Sequence, residues 1–509
     1  MDNVLELLED TARRLPDKVA VSDPGSSLTF AGLLGTARGV GSWLVAQGVA
    51  PREAVALYLE KSPLALACML GAAYAGAFYS VIDVRQPEGR VRGICDTLQA
   101  GVVLTDAANA ERAGEILGGT GLRLARIEDL AGLDADDAVL AAVREQATDC
   151  DPLYANFTSG STGVPKGVVV GHRSVLDFIG TFVRTFGIGE DDHVANQAPF
   201  DFDVSVKDIY SCLLTGATLH LVPRPYFSNP TELMDYLCEC GATTLTWAVS
   251  ALCFVSIMGG FDYRVPTGVR RVLFSGEVMP PKQLRVWQRN LPAATFVNLY
   301  GPTEITCNCT YHVIDREYGA DETIPMGRPF PNETVFLLGE GDEPVGASDV
   351  GRVGEVCVAG SCLALGYLGD PGRTAGAFVQ NPLNGRWRQT VYRTGDLARY
   401  DEAGDLVFVS RKDHQIKHLG QRIELGDIES AAQAVDGVER ACCLYDARRK
   451  RLVLCYVGSV DRASLKEGLR GLLPSYMVPN RTLQLDEMPL TKNGKIDRGA
   501  LESHARIKR

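Results

Sequence analysis

Residues 64–82 read "LALACMLGAAYAGAFYSVI", nineteen residues without a charge. A run of that length is a candidate membrane span. Gly71 and Gly76 interrupt it, however, and its second half is short and aromatic, as in a strand. A buried helix followed by a buried parallel strand accounts for the whole stretch without a bilayer. A helix followed by a fully buried strand is the repeating unit of a layered α/β protein.

Downstream, "GVVLTD" continues the same alternation, so residues 1–150 are expected to build α/β layers around a mostly parallel sheet. Residues 106–150, rich in Ala, Asp, Glu and Gly, read as peripheral helix and loop. The rhythm returns over 168–330, where "GVVV", "GATLHLV", "GATTLTWAV", "VRRVLFSGE" and "ATFVNLYG" read as buried strands following helices. Beyond about 330, "ETVFLLGEGDEPV", "GEVCVAG" and "DLVFVSRKDHQIKHLG" alternate apolar and polar residues between Gly turns, which predicts antiparallel β. The last hundred residues mix strand ("RLVLCYV") with helix ("LGDIESAAQAV", "RASLKEGLRGLL") in a small α+β unit, and the polar "SRKDHQIK" reads as the linker into it. The expected division is a core over 1–412, β-rich from about 330, and a small C-terminal domain over 413–509.

The 509 residues suffice for several domains. A formal net charge of −12 argues against a general grip on nucleic acid. One basic run stands out, Arg448, Arg449, Lys450 and Arg451, read either as a solvated turn or as a docking point for an acidic partner. The N-terminus shows no secretory pattern. Fourteen scattered cysteines, several in apolar runs and none at zinc spacing, point to reduced thiols in a cytoplasmic protein.

"FTSGSTGVPKGVVV", residues 157–170, holds six consecutive Ser, Thr or Gly and then a lysine. Small residues leave backbone N–H groups open, hydroxyls add donors, and Lys166 completes a cradle for a polyphosphate. Val164 and Pro165 separate the last Gly of the run from the Lys, and a strand follows, so this is not a Walker loop. The stretch resembles the phosphate loop of the adenylate-forming superfamily, which comprises amino-acid adenylation enzymes, acyl-CoA synthetases and luciferases. Five further runs follow in that family's order: "NLYGPTE" (298–304), "GEVCVAGSCLALGYL" (354–368), "YRTGDLARY" (392–400), "SRKDHQIKHLGQRIELGDIE" (410–429) and "LTKNGKIDR" (490–498).

The resemblance implies two half-reactions. A carboxylate attacks ATP to give an acyl-adenylate and pyrophosphate, and a thiol then captures the acyl group. It assigns Thr158, Ser159, Gly160, Ser161, Thr162, Gly163 and Lys166 to the phosphates. Glu304, with Thr303 beside it, falls at the magnesium position. Tyr300, followed by Gly301, would face adenine, Asn298 the base edge, Asp396 the ribose hydroxyls, and Arg411 the nucleotide. Lys495 matches the lysine that bridges substrate carboxylate and ribose-phosphate. Asp413 matches the hinge about which the small domain swings, and Ser410 stands where the family usually has Gly.

In "NQAPFDFDVSVKDIYSCL" (196–213), Asp203 aligns with the aspartate that amino-acid-activating members use for the α-ammonium. Its other reading is a helix N-cap or a partner for Lys207 four residues on. The same match places Val204, Lys207, Thr246, Leu273, Ser275, Leu299, Cys307 and Asn308 around the side-chain pocket. "LFSGEVMP" and the run around Asp203 look closest to D-alanine–carrier protein ligases and to stand-alone adenylation enzymes of nonribosomal-peptide type. Lys207 either fills space for a small neutral substrate such as alanine, the favoured reading, or pairs with an acidic one. An acyl-CoA synthetase for a carboxylate without an amine is the alternative function. Fourteen residues follow Lys495, with no phosphopantetheine serine, so the thiol is expected on a separate carrier protein.

Overall fold

The structure, a computed structural model, describes residues 2–158, 165–320, 322–412, 415–490 and 496–507. Residues 64–82 split as their composition demands. The helix Pro63–Tyr74 starts with Pro at its first position and with Ser62 Oγ accepting the Ala65 N–H at 3.1 Å. Its small residues admit a close neighbour: a Cβ on Gly71 would lie 2.6 Å from Val40 Cγ1 of the helix Phe30–Ala46. The strand Phe78–Ile82 follows, buried throughout and parallel to Ala54–Tyr58. Among the described residues no helix is long and apolar enough to cross a membrane.

The chain divides into two compact units. The first takes residues 1–83, 98–156 and 168–412. One of its sheets has seven strands, in the order Gly366–Tyr367, Lys166–Gly171, Pro152–Thr158, Phe78–Ile82, Ala54–Tyr58, Val102–Thr105, Arg123–Arg126. Another has nine, in the order Arg328–Pro329, Thr310–Val313, Thr295–Tyr300, Arg271–Ser275, Thr244–Ala248, His193–Asn196, Thr218–Leu221, Val19–Ser22, Ser27–Thr29. Its six inner strands pair in parallel, and the edges are antiparallel. The chain leaves His193–Asn196 for Thr218–Leu221 on one side and then crosses to Thr244–Ala248 on the other. The carboxyl ends of His193–Asn196 and Thr244–Ala248 therefore flank a topological switch point, where open α/β sheets bind ligands. A third, six-stranded sheet from 334 to 411 is antiparallel at every pairing, as its alternating pattern predicts.

The second unit gathers residues 84–97, 157–167 and 413–509. Among the described residues it contains the hairpin Gln415–His418/Gln421–Glu424, a three-stranded sheet of Val438–Asp446, Arg451–Gly458 and Arg481–Gln484, and four α-helices, Glu88–Leu98 (all but its last residue), Leu425–Gln433, Arg462–Leu472 and Arg498–His504. Ile423, Ile428, Leu454, Tyr456, Leu465 and Met477 form its core.

Three details correct the sequence reading. Residues 106–150 are not only helix and loop, since Arg123–Arg126 adds a parallel edge strand to Val102–Thr105. "HVAN", His193–Asn196, is a central strand whose polar ends hide it. "GVVV" joins the seven-stranded sheet, apart from the four strand runs that follow it in the sequence. All fourteen cysteines are free thiols, eleven of them buried.

Candidate active site

The first unit brings three of the nucleotide residues together. Asp396 and Arg411 are direct register partners on antiparallel strands, and Tyr300 ends the strand Thr295–Tyr300. Arg411 Nη1 donates to Asp396 Oδ1 and Tyr300 Oη donates to Asp396 Oδ2, each at 2.5 Å. Burial first, and then the neighbouring Asp396 carboxylate, push the Tyr300 phenol well above its ordinary range, so it stays protonated and a donor. Asn298 Nδ2 is engaged by the Pro325 carbonyl at 2.7 Å.

After Tyr300 the chain folds back tightly. A Cβ on Gly301 would meet Asn308 Cα at 2.5 Å and Cys307 O at 2.6 Å, so only glycine fits there. Thr306 and Cys307 take φ of +53° and +78°, which is costly for residues with a Cβ. This turn buries Glu304, whose Oε1 accepts from Tyr367 Oη at 2.8 Å, and it leaves Thr303 beside it. Tyr367 lies within the quoted run 354–368 but is missed in the sequence as a site residue.

The pocket residues share one side of the nine-stranded sheet. Thr246 is the register partner of Leu273, and Leu273 of Val297; Ser275 and Leu299 lie two residues further on, facing the same way. The helix Val204–Thr215 packs over Thr244–Ala248. Asp203, 8 % exposed, takes the N-cap position of that helix, but its side chain makes no cap bond, so the N-cap reading falls. The Cys307 thiol donates to the Asp203 carbonyl at 3.0 Å. Lys207 is 1 % exposed and donates to Asn308 Oδ1 at 2.7 Å. Burial pushes the Lys207 ammonium below its ordinary range, while Cys307, Asp203 and Asp208 pull it back. Val204, Thr246, Leu273, Ser275, Leu299, Cys307 and Asn308 are all buried.

Beneath the pocket lies a polar chain that the sequence reading misses. Lys61 Nζ bonds Asn196 Oδ1 at 3.0 Å, and Asn196 Nδ2 bonds Asp208 Oδ2 at 2.9 Å. Burial pushes the Lys61 ammonium down to about 7 and the Asp208 carboxyl up to about 7. The available signal is a lone cation, "LEKSP", wedged between two apolar runs.

In the second unit Thr158 is the last residue of Pro152–Thr158, and Lys166 opens Lys166–Gly171 with Nζ 3.9 Å from Glu424 Oε1. Ser159, Gly160, Ser161, Thr162, Gly163, Asp413 and Lys495 lie outside the described residues. Two surface clefts, of about 440 and about 820 Å³, run beside the helices Leu5–Arg14 and Phe30–Ala46 and are lined by none of the predicted residues.

Among known proteins, the AMP-binding enzyme family matches residues 8–368, and the AMP-binding enzyme C-terminal domain matches 427–495. The chain is 31% identical to tyrocidine synthase 2 of Brevibacillus parabrevis, over 98% of this chain and 13% of that protein. It is 35% identical to the AMB antimetabolite synthetase AmbB of Pseudomonas aeruginosa, over 97% of this chain and 38% of that one. It therefore spans well under half the length of these relatives. Two solved structures are similar over nearly all of it. One is holo-PA1221, an NRPS protein containing adenylation and PCP domains bound to a vinylsulfonamide inhibitor (TM-score 0.84, 26% identity, 99% of this chain, 84% of that). The other is IdnL1 (TM-score 0.79, 27% identity, 96% and 99%).

Proposed function

This chain belongs to the AMP-binding enzymes, and on that premise we propose that it activates an amino acid with ATP and hands the aminoacyl group to a carrier protein. In the first step a substrate carboxylate oxygen attacks the α-phosphorus, the bond to pyrophosphate breaks, and an aminoacyl-adenylate remains. In the second the phosphopantetheine thiolate of a separate carrier, or an amine on one already loaded, attacks the acyl carbon and AMP leaves.

One observation supports amino-acid activation most directly: the enclosed carboxylate of Asp203, set at the sheet's switch point and not used as a cap. A buried carboxylate calls for a cation, and breaking such a pair costs about 3–5 kcal/mol. Lys207 already acts on Asp203, and in our reading the α-ammonium of the substrate joins it as a second cation.

The remaining roles rest on position and chemistry. Asp396 accepts the ribose hydroxyls in exchange for its bonds to Tyr300 and Arg411, and Tyr300 offers its ring to adenine, with Asn298 near the base edge. Thr158, the residues 159–163 and Lys166 hold phosphate oxygens. Glu304 and Thr303 present hard oxygen donors that suit magnesium, which when bound screens the phosphate charge. Lys495 stabilises the charge that builds on the reacting oxygens, and Asp413 is the hinge between the two steps. Free thiols throughout fit a cytoplasmic setting.

For the substrate we favour a small neutral amino acid such as alanine, because the Lys207 side chain, tied to Asn308, takes up space in the pocket. The same buried ammonium favours aspartate or glutamate as the second reading. ATP–pyrophosphate exchange with both alanine enantiomers, glycine, serine, aspartate and glutamate decides between them. Exchange with acetate or fatty acids alone would make the chain an acyl-CoA synthetase and overturn the proposal. Lys495→Ala should abolish exchange while ATP binding persists, and unchanged exchange would remove the lysine from the mechanism.

A further inference from the structure

Lys61 sits between the strand Ala54–Tyr58 of the seven-stranded sheet and the helix Pro63–Tyr74, yet its ammonium serves the nine-stranded sheet. Nζ lies 3.0 Å from Asn196 O, 3.0 Å from Asn196 Oδ1, 3.1 Å from Gln197 O and 3.4 Å from Ala198 O. A lysine has three donors, and here four oxygens surround them. All four belong to the last residue of His193–Asn196 and the two that follow it.

Three successive carbonyls turned toward one cation fix how the chain leaves the sheet. That segment runs from the switch point to Asp203. It is held from two further directions. Gln197 Oε1 accepts the Ala248 N–H at 3.3 Å, and Asn196 Nδ2 reaches Asp208 on the helix that carries Lys207. The four oxygens converge on Lys61, so the ammonium is the common point from which the Asp203 segment and the base of its helix are both oriented.

We propose that Lys61 is a positioning residue for amino-acid binding: through the carbonyls of residues 196–198 and the Asn196 amide it sets where the Asp203 carboxylate stands, without touching the substrate. The inference rests on the reading of Asp203 as the ammonium ligand. A lysine that merely bolted two sheets together would support ATP and amino acid alike. A positioning lysine acts on the amine side only.

The test uses Lys61→Met and Lys61→Gln in the full chain, with the best amino acid from the exchange panel and its amine-free analogue. Lys61→Met should raise the amino-acid KM about ten-fold or more, with the ATP KM and kcat within about two-fold of the parent. Lys61→Gln, which keeps N–H donors and loses the charge, should fall between. Any slow exchange with the amine-free analogue should be the same in all three proteins, because that substrate does not use Asp203. An unchanged amino-acid KM in a folded variant, or equal losses for ATP, amino acid and analogue, overturns the proposal. So does a failure of both variants to melt cooperatively, which would make Lys61 a determinant of the fold. A parent protein that exchanges only with amine-free acids would instead defeat the reading of Asp203, before any Lys61 variant is made.

Discussion

Lys207 shows what one side chain can do to a pocket. Its ammonium is buried, held below its ordinary range by that burial, bonded to Asn308 Oδ1 and pulled back by Asp203 and Asp208, so replacing it takes a donor from a buried amide and a cation from two carboxylates. Lys207→Met, which keeps the bulk, should leave exchange confined to small amino acids, whereas Lys207→Ala should admit larger apolar side chains, read from the same amino-acid panel. A loss confined to aspartate and glutamate would mean that the ammonium binds an acid. Asp203 and Lys207 can be named from one contiguous run, and Asn308 from its place four residues after "NLYGPTE". That Lys207 meets Asn308, 101 positions away, cannot, because the meeting depends on the left-handed backbone at Thr306 and Cys307. Lys61 is harder still: its partners lie 135 to 137 positions away, and no local pattern marks them.

Elements were legible where their periodicity ran long enough. The buried helix and strand of residues 63–82 follow from composition, whereas "RLAR" and "HVAN" are strands only because neighbours pair with them. Element ends also carry titrating groups. His172 opens the helix His172–Phe186, buried, with Nδ1 accepting the Val4 N–H at 3.3 Å. That bond requires a neutral ring, and burial pushes the imidazole down to about 4 from its ordinary 6.5. The unfolded chain therefore takes up this proton first as pH falls. The stabilisation is whole above pH 6.5 and is lost between 6.5 and 4, about 3 kcal/mol across the window. Asp208 and Glu333, pushed up to about 7, act in the opposite sense over the same range, so the histidine must be read by difference. Urea unfolding of the parent and of His172→Gln, whose amide oxygen can accept the same N–H, should show the parent losing more stability between pH 7 and pH 4.5. Parallel pH curves would contradict a neutral buried His172.

For the whole molecule, motif order along the chain predicts two units, but not that residues 84–97 and 157–167 group with the C-terminal segment, since sequence distance says nothing about which surfaces pack. The second unit also settles where the basic run falls. Arg448, Arg449 and Lys450 are exposed in the turn between Val438–Asp446 and Arg451–Gly458, with Arg449 3.6 Å from Asp446. On a chain with net charge −12, an exposed run of four basic residues is a local attraction for an acidic partner. If the carrier approaches this turn, the charges raise its encounter rate more than they hold the complex, and the effect shrinks with salt. Arg448→Glu with Arg449→Glu should slow aminoacyl loading of the carrier about ten-fold at low ionic strength, and less at high salt. Amino-acid exchange should not change, because the turn supplies no group to the first step. Equal losses in exchange and loading would show that the substitutions damage the unit as a whole, and unchanged loading at every salt concentration would return the turn to a solvated loop.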